Sequence, residues 1–257
     1  MKQRVKNAEQ TGSRPRKVGL ARALSKLGYC SRSEAAKLIH AGRVKLNGAL
    51  RRDPETPVHA GKDRIEVDGR PLASSVKIYL VLNKPRGVVT TASDEQARET
   101  VYAYLPQNLP WIAPVGRLDK ASEGLLLLTS DSEWAARITA PESHLSKTYH
   151  VQIGAIVTDA LLEHLHKGIT TSEGDFLRVK RASILRQGER NSWLEIVLAE
   201  GKNRHIRRTL EHLQIEVLRL VRVAIGSLAL GDLPKGATRP LEPGEKLALD
   251  GAMQLTK

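Results

Sequence analysis

Residues 116–131 read Gly-Arg-Leu-Asp-Lys-Ala-Ser-Glu-Gly-Leu-Leu-Leu-Leu-Thr-Ser-Asp, and this stretch says most about the fold of the chain. Its four consecutive leucines, Leu125–Leu128, lie between turn-forming residues, a pattern typical of a buried strand. The residues before the leucines are charged, so we expect an exposed loop that is anchored to this strand. Such a loop would present the carboxylate of Asp119 on a rigid support.

The spacing alone leaves two interpretations of Asp119 open. Its carboxylate could form a surface ion pair with Arg117 or Lys120, and such pairs contribute little to stability. Alternatively, the loop presents Asp119 as a reactive group. Other parts of the sequence must decide between these interpretations.

The charge of the chain is large and unevenly distributed. The 257 residues include 41 Lys or Arg and 28 Asp or Glu, a net charge of +13, of which residues 1–72 contribute 17 basic and 7 acidic residues. This length favours two domains. The excess charge predicts an anionic partner, either nucleic acid or a membrane surface, that the N-terminal part holds.

The N-terminus and the cysteine content indicate where the protein works. Residues 1–18 are polar and basic, which predicts a flexible arm and not a secretory signal. No segment approaches the roughly 20 apolar residues that span a bilayer. The single cysteine, Cys30, fits a reducing compartment and lies where packing is its expected role. We therefore expect a cytoplasmic protein that does not bind membranes. We also expect it to be a monomer.

The region after the arm has the pattern of a small helical and hairpin module. Leucines and alanines at helical spacing predict a helix over Leu20–Leu27, and the capping-box sequence Ser31–Glu34 predicts the start of a second helix that ends at Gly42. The dipeptide Asn47-Gly48 favours a tight hairpin turn. A further strand is predicted at Arg64–Val67.

This module resembles the S-four (S4) RNA-binding domain, most clearly in Gly-Arg-Val-Lys-Leu-Asn-Gly at residues 42–48. The resemblance assigns the domain to residues 19–72. Its basic residues are either ordinary solvated charges or phosphate contacts, and the scarcity of acidic neighbours favours RNA contact. The candidate RNA-binding residues of this module are Arg22, Lys26, Arg32, Lys37, Arg43 and Lys45.

Three further motifs follow a predicted linker at residues 73–76. The first is Lys-Pro-Arg-Gly at residues 84–87, after a predicted strand over Ile78–Leu82. The second is Lys-Thr-Tyr at the start of an alternating strand over Lys147–Ile153, where Tyr149 is by itself an ordinary core residue. The third is Glu200–Arg208, which leads into a helix and a strand over Val217–Val223.

With the motif at residues 116–131, these segments resemble the RsuA-type ribosomal RNA pseudouridine synthases. The resemblance predicts an α+β fold in which residues 77–257 form a catalytic domain on a mixed, mainly antiparallel sheet. It implies that Asp119, Tyr149 and Arg207 are catalytic, that Arg207 pairs with Asp119, and that Tyr149 stacks on a flipped uridine. The remaining residues that it implies in RNA binding are Lys84, Arg117, Lys202 and Arg204. One departure is His205, where glutamine is common.

The implied reaction is an isomerisation and needs no cofactor. Asp119 would either attack the ribose or remove a neighbouring proton, and the sequence does not separate these routes. A non-catalytic RNA-binding or ribosome-assembly protein is the alternative function. A methyltransferase is less favoured because no nucleotide-binding glycine motif is present. His164 and His166 diverge on a predicted helix, which disfavours a zinc site.

Overall fold

A computed structural model describes residues 17–59, 61–73, 76–92 and 94–254 of the chain. Contacts divide the chain into two units, residues 1–75 and 76–257. The predicted arm lies outside the described residues except for Lys17 and Val18, which belong to a strand and are held by its pairing. Residues 74 and 75 of the predicted linker also lie outside them. The domain boundaries otherwise stay predictions.

The described part of the first unit combines two short helices with short strands. Strand β1 pairs with β4, and a second sheet has the order β3-β2-β5-β6. The elements are β1 (Lys17–Gly19), α1 (Leu20–Lys26), α2 (Arg32–His40), β2 (Val44–Leu46), β3 (Ala49–Arg51), β4 (Pro57–His59), β5 (Ile65–Val67) and β6 (Arg70–Pro71).

The helix cap and the hairpin turn that the sequence predicts for this unit are both formed. The Ser31 side chain accepts a hydrogen bond from the Glu34 amide at 3.1 Å and so caps α2. Asn47 and Gly48 have φ angles of 53° and 80°, which is the backbone that a tight hairpin turn between β2 and β3 requires. The apolar faces of both helices pack with the strands in one core that includes Leu24. The predicted helical and hairpin module is therefore confirmed.

The second unit is built on a nine-stranded sheet. Its strands run in the order β13-β14-β10-β15-β9-β7-β17, with β8 paired to β9 and β16 paired to β15. Its elements are β7 (Tyr79–Lys84), β8 (Ala113–Pro114), β9 (Glu123–Thr129), α3 (Ser132–Thr139), β10 (Lys147–Ile153), α4 (Asp159–Lys167), β11 (Ile169–Thr170), β12 (Phe176–Leu177), β13 (Arg181–Gln187), β14 (Ser192–Leu198), α5 (His205–His212), β15 (Val217–Ile225), β16 (Leu228–Ala229), β17 (Thr238–Pro240) and α6 (Pro243–Gln254), and two 3-10 turns lie at Val101–Tyr104 and Pro141–Ser143.

The pairing of these strands confirms the predicted mixed, mainly antiparallel sheet. Within the nine-stranded sheet only β9 and β15 pair in parallel, as far as the described residues show. Strand β13 and helix α6 were not predicted, because β13 is a mostly exposed edge strand without clear alternation and α6 buries only Leu249 completely. Within the described ranges, no helix has the length and apolarity needed to cross a membrane.

Strand β9 is buried on both faces, as its run of leucines predicts. Leu125 and Leu127 belong to one core with Trp134, and Leu126 and Leu128 belong to another core on the opposite face. All four leucines are 0% exposed. The strand that follows Asp119 therefore lies between two cores.

Gly124 lets β9 approach β15 closely. Its φ angle is +100°, and a Cβ atom at this position would lie 2.3 Å from the carbonyl oxygen of Arg222. Gly124 and Arg222 are register partners in the parallel pairing. Neither backbone segment can move away easily, because β9 is buried on both faces. A side chain at residue 124 is therefore incompatible with this pairing.

We expect Gly124→Ala to lower the free energy of unfolding of the second unit by about 2 kcal/mol or more, through backbone strain and the clash. Urea titration followed by tryptophan fluorescence measures this change, because Trp111, Trp134 and Trp193 all lie in the second unit. The control is Gly244→Ala, where the new Cβ would meet no atom within 4 Å. Equal stability of the two variants would contradict this explanation of the motif glycine.

Candidate active site

The loop that carries Asp119 is held by hydrogen bonds to its own backbone and to the segment after β7. The Thr90 hydroxyl donates to the Leu118 carbonyl at 2.8 Å, and the Gly87 amide donates to the Lys120 carbonyl at 2.7 Å. The Ser122 amide donates to the Asp119 carbonyl at 2.9 Å and closes the turn. The Asp119 side chain is half-buried at the surface of this turn.

Lys84 lies beneath this loop and does not fit the prediction that it contacts RNA. Its side chain is 0% exposed, and its ammonium donates to the carbonyls of Ser122 at 2.8 Å, Pro85 at 2.9 Å and Asp119 at 3.3 Å. Burial lowers the pKa of Lys84 to about 8, although Asp119 and Glu123 oppose that shift. An amine enclosed in this way has no free surface for a phosphate.

A cavity of about 580 Å³ brings the three predicted catalytic residues together. It lies beside the loop of Asp119, the start of β10 with Tyr149, and the first turn of α5 with Arg207. Its volume falls within the range of about 300 to 1,000 Å³ that is typical of small-molecule pockets. Motifs far apart in the sequence therefore meet at one site.

Tyr149 lines this cavity from the sheet. It packs against the core that contains Val151 and Ile153, and it also packs against the core that contains Leu118. The pairing of β10 with β15 shifts register between Thr148 and Tyr149. The phenol ring is therefore half-buried and held by packing, while part of its surface faces the cavity.

Arg207 reaches the same loop from α5. Its Nη2 atom donates to the Ala121 carbonyl at 3.0 Å, and burial lowers its pKa, with further contributions from Arg204 and Arg86 that Asp119 opposes. Among the described residues no ion pair joins Arg207 to Asp119, and the guanidinium donates to a backbone carbonyl, so the pairing that the resemblance implied is not formed in this structure. Arg207 instead holds the turn two residues after Asp119.

The remaining predicted RNA-binding residues have different surroundings. Arg117 and Arg204 are exposed and line the cavity. Lys202 donates to the Phe176 carbonyl at 2.7 Å and pairs with Glu200, so its ammonium already has partners in the protein.

In the first unit, one of the predicted RNA contacts is also engaged within the protein. The Arg43 guanidinium donates to Asp68, with a distance of 2.8 Å from Nε to Oδ1. Lys26 is half-buried in α1. Arg43 is nevertheless exposed, as are Arg22, Arg32, Lys37 and Lys45.

The cavity is also lined by three basic residues that sequence reasoning did not assign to the site. Arg222 is 5% exposed and donates from Nε to the Leu125 carbonyl at 2.7 Å. Burial, followed by repulsion from Arg222, lowers the pKa of Lys147. His205 is 3% exposed and burial lowers its pKa. The sequence signal that could have indicated this part of the site is Arg222 itself, a basic residue within a mostly apolar strand.

Two family models match the chain. A family model described as RNA pseudouridylate synthase matches residues 78–212, and a model described as S4 domain matches residues 18–65. The first match contains the motifs of Asp119, Tyr149 and Arg207. The second match contains the helices and the hairpin of the first unit.

Individual proteins are similar over most of the chain. The chain is 39% identical over 218 residues to an uncharacterized RNA pseudouridine synthase of Rickettsia prowazekii (strain Madrid E), covering 84% of this chain and 91% of that protein. It is 36% identical over 228 residues to ribosomal large subunit pseudouridine synthase B of Bacillus subtilis (strain 168), covering 88% and 93%. A crystal structure of a pseudouridylate synthase has a TM-score of 0.63 and 29% identity, covering 90% of this chain and 99% of its own.

We expect Lys84→Met to destabilise the second unit, because three backbone carbonyls lose their buried donor. The loss should depend on pH. The folded pKa of Lys84, about 8, lies below the value near 10.4 of an unfolded lysine. The unfolded chain therefore binds this proton more tightly, and the contribution of Lys84 to stability rises as the pH increases between these values.

Urea titrations at pH 7 and pH 9.5, followed by tryptophan fluorescence, measure this dependence. The stability deficit of Lys84→Met relative to the wild type should be larger at pH 9.5. Lys180→Met is the control, because Lys180 is exposed and lines neither this cavity nor the loop of Asp119. A deficit that is the same at both pH values would contradict the lowered pKa.

Proposed function

Because the chain belongs to the RNA pseudouridylate synthase family, we propose that it isomerises a specific uridine of large-subunit ribosomal RNA to pseudouridine, with Asp119 as the reacting carboxylate. The observation that carries this proposal is the meeting of Asp119, Tyr149 and Arg207 at one cavity. The ribosomal substrate is supported by the similarity to the large-subunit enzyme of Bacillus subtilis. The S4 domain supports an RNA partner.

The chemistry requires a carboxylate at this position. Isomerisation breaks the bond between ribose and a ring nitrogen, turns the base, and joins the ribose to a ring carbon. Asp119 either attacks the sugar or removes a neighbouring proton, and both routes use the ionised form. Lys84 and Arg207 place two positive charges near Asp119 and fix the turn that carries it. The carboxylate is therefore positioned before the substrate arrives.

The cavity is suited to a base that has left its stack. Extruding a base costs a few kcal/mol, which contacts in the pocket must offset. Tyr149 offers part of an aromatic ring to the base, and the exposed Arg117 and Arg204 offer positive charge to the phosphates beside it. The exposed basic residues of the first unit would add sequence-independent affinity for the RNA backbone.

The alternative of a non-catalytic RNA-binding protein is less well supported. It would explain the net charge of +13 and the S4 domain. It does not explain why an acidic, an aromatic and a basic motif converge on one cavity.

We further propose that the protein acts as a monomer in the cytoplasm, where bacterial ribosomal RNA is made.

We expect Asp119→Asn to abolish pseudouridine formation and to leave RNA binding within about 2-fold of the wild type, because the amide keeps the shape but cannot attack or accept the proton. Carbodiimide mapping of pseudouridine in large-subunit RNA and a filter-binding titration measure the two properties. Asp232→Asn, at an exposed position outside the cavity, is the control. Turnover by purified Asp119→Asn would refute the assignment.

We expect the triple variant Arg22→Ala, Arg32→Ala, Lys37→Ala to bind RNA more weakly and with a smaller salt dependence. Each phosphate contact that is lost should reduce the slope of log affinity against log salt concentration by roughly 0.7 to 0.9. Titrations between 50 and 300 mM salt measure the slope. Lys180→Ala on the second unit is the comparison. An unchanged slope in the triple variant would show that these residues do not contact phosphates.

A further inference from the structure

A second cavity, of about 660 Å³, adjoins the loop of Asp119. Both cavities are lined by Arg117, Leu118, Asp119 and Arg204. Apart from these shared residues, the second cavity has no role in the reaction described above. Its other lining residues come mainly from the segment after β7, and they are Val89, Thr90, Thr91, Asp94, Glu95, Gln96, Arg98 and Lys120.

The segment at residues 89–101 is fixed at its base. The Val89 amide donates to the Glu99 carbonyl at 2.9 Å, and the Val101 amide donates to the Val89 carbonyl at 3.0 Å. Thr90 is buried and exchanges hydrogen bonds with Leu118, the residue before Asp119. The wall of the second cavity is therefore hydrogen-bonded directly to the loop that carries Asp119.

The interior of this segment is held by one ion pair. Asp94 accepts from Arg98, with a distance of 2.6 Å from Nη2 to Oδ1, and from the Arg98 amide at 2.8 Å. These bonds lower the pKa of Asp94 to about 2. The charges of Asp94 and Arg98 thus compensate each other, and neither is free to recognise a ligand.

The residues that remain for recognition divide into two kinds. The loop of Asp119 and the start of α5 contribute the cations Arg117, Lys120 and Arg204. The segment after β7 contributes Glu95 and Gln96, whose exposed side chains make no hydrogen bond or ion pair within the part of the chain that the structure describes. Besides Asp119, which also lines the first cavity, the second cavity therefore combines positive charge with the carboxylate of Glu95 and the amide of Gln96.

A nucleotide matches this combination. Its phosphate suits the cations, and the edge of its base offers donors and acceptors that carboxylate and amide groups bind. RNA recognition commonly uses unstacked bases bound by their edges, with arginine beside them. Because Arg117 and Arg204 line both cavities, a phosphate that links two nucleotides can lie at their boundary.

We propose that the second cavity binds the nucleotide next to the target uridine, and that Glu95 and Gln96 read its base. This inference rests on the proposed function. An ionised Glu95 accepts hydrogen bonds and cannot donate them, so it favours a base with an exocyclic amino group over uracil, whose single donor, N3–H, lies between two carbonyl oxygens that repel a carboxylate. The first cavity would then hold the uridine that reacts, and the second cavity would select the RNA sequence by recognising the neighbouring base.

The test uses the full-length protein and a large-subunit RNA fragment that contains the mapped target uridine. The fragment is transcribed with each of the four nucleotides at the position before the uridine and, separately, at the position after it. Single-turnover rates of pseudouridine formation are then measured at subsaturating enzyme. At one of the two positions, the wild type should react roughly 10-fold faster with an amino-bearing base than with uracil.

In the double variant Glu95→Ala, Gln96→Ala this preference should shrink to about 2-fold, chiefly because the favoured substrates react more slowly. The matched control is Glu189→Ala, Gln107→Ala, which removes the same groups from exposed positions outside both cavities. Tryptophan fluorescence confirms that the variants are folded. The control variant should keep the rates and the preference of the wild type.

Two results overturn this inference while leaving the proposed function intact. In the first, an active wild type shows no preference at either neighbouring position. In the second, the double variant keeps the preference of the wild type. A wild type that forms no pseudouridine in large-subunit RNA would refute the proposed function, and this inference would fail with it.

Discussion

The burial of β9 on both faces is the constraint on which the rest of the second unit depends. Alternate leucines of this strand enter two different cores, and β7 and β15 flank it in the sheet. A strand held in this way cannot tilt or slide without opening both cores. The loop before β9 is anchored to this rigid strand. The position of the Asp119 carboxylate therefore depends on two apolar cores to which Asp119 itself does not belong.

Charge buried beneath the loop adds to this support. The ammonium of Lys84 joins the end of β7 to both ends of the turn that contains Asp119, and Arg207 joins the turn to α5. Both groups use backbone carbonyls as partners. They can therefore place positive charge near the reacting carboxylate without occupying it, which leaves the Asp119 side chain open to the substrate.

The sequence predicted those parts of the structure that depend on local signals. The buried strand, the hairpin at Asn47-Gly48 and the bounds of β10 followed from leucine runs, turn chemistry and alternation. The position of Lys84 did not, because its partners at residues 119 and 122 are distant in the sequence and a lysine is ordinarily exposed. The role of Arg222 was hidden for the same reason, since the pairing of β15 with both β9 and β10 brings it to the cavity.

The parallel pairing of β9 with β15 also bears on the order in which the protein matures during translation. The first unit makes its contacts within residues that the ribosome synthesises early, and domains tend to fold as units in the order of synthesis. The loop of Asp119 is synthesised next, but β15 and α5 follow much later. In a nascent chain the first unit can thus fold before the strand and the helix that complete the cavity around Asp119 have been synthesised.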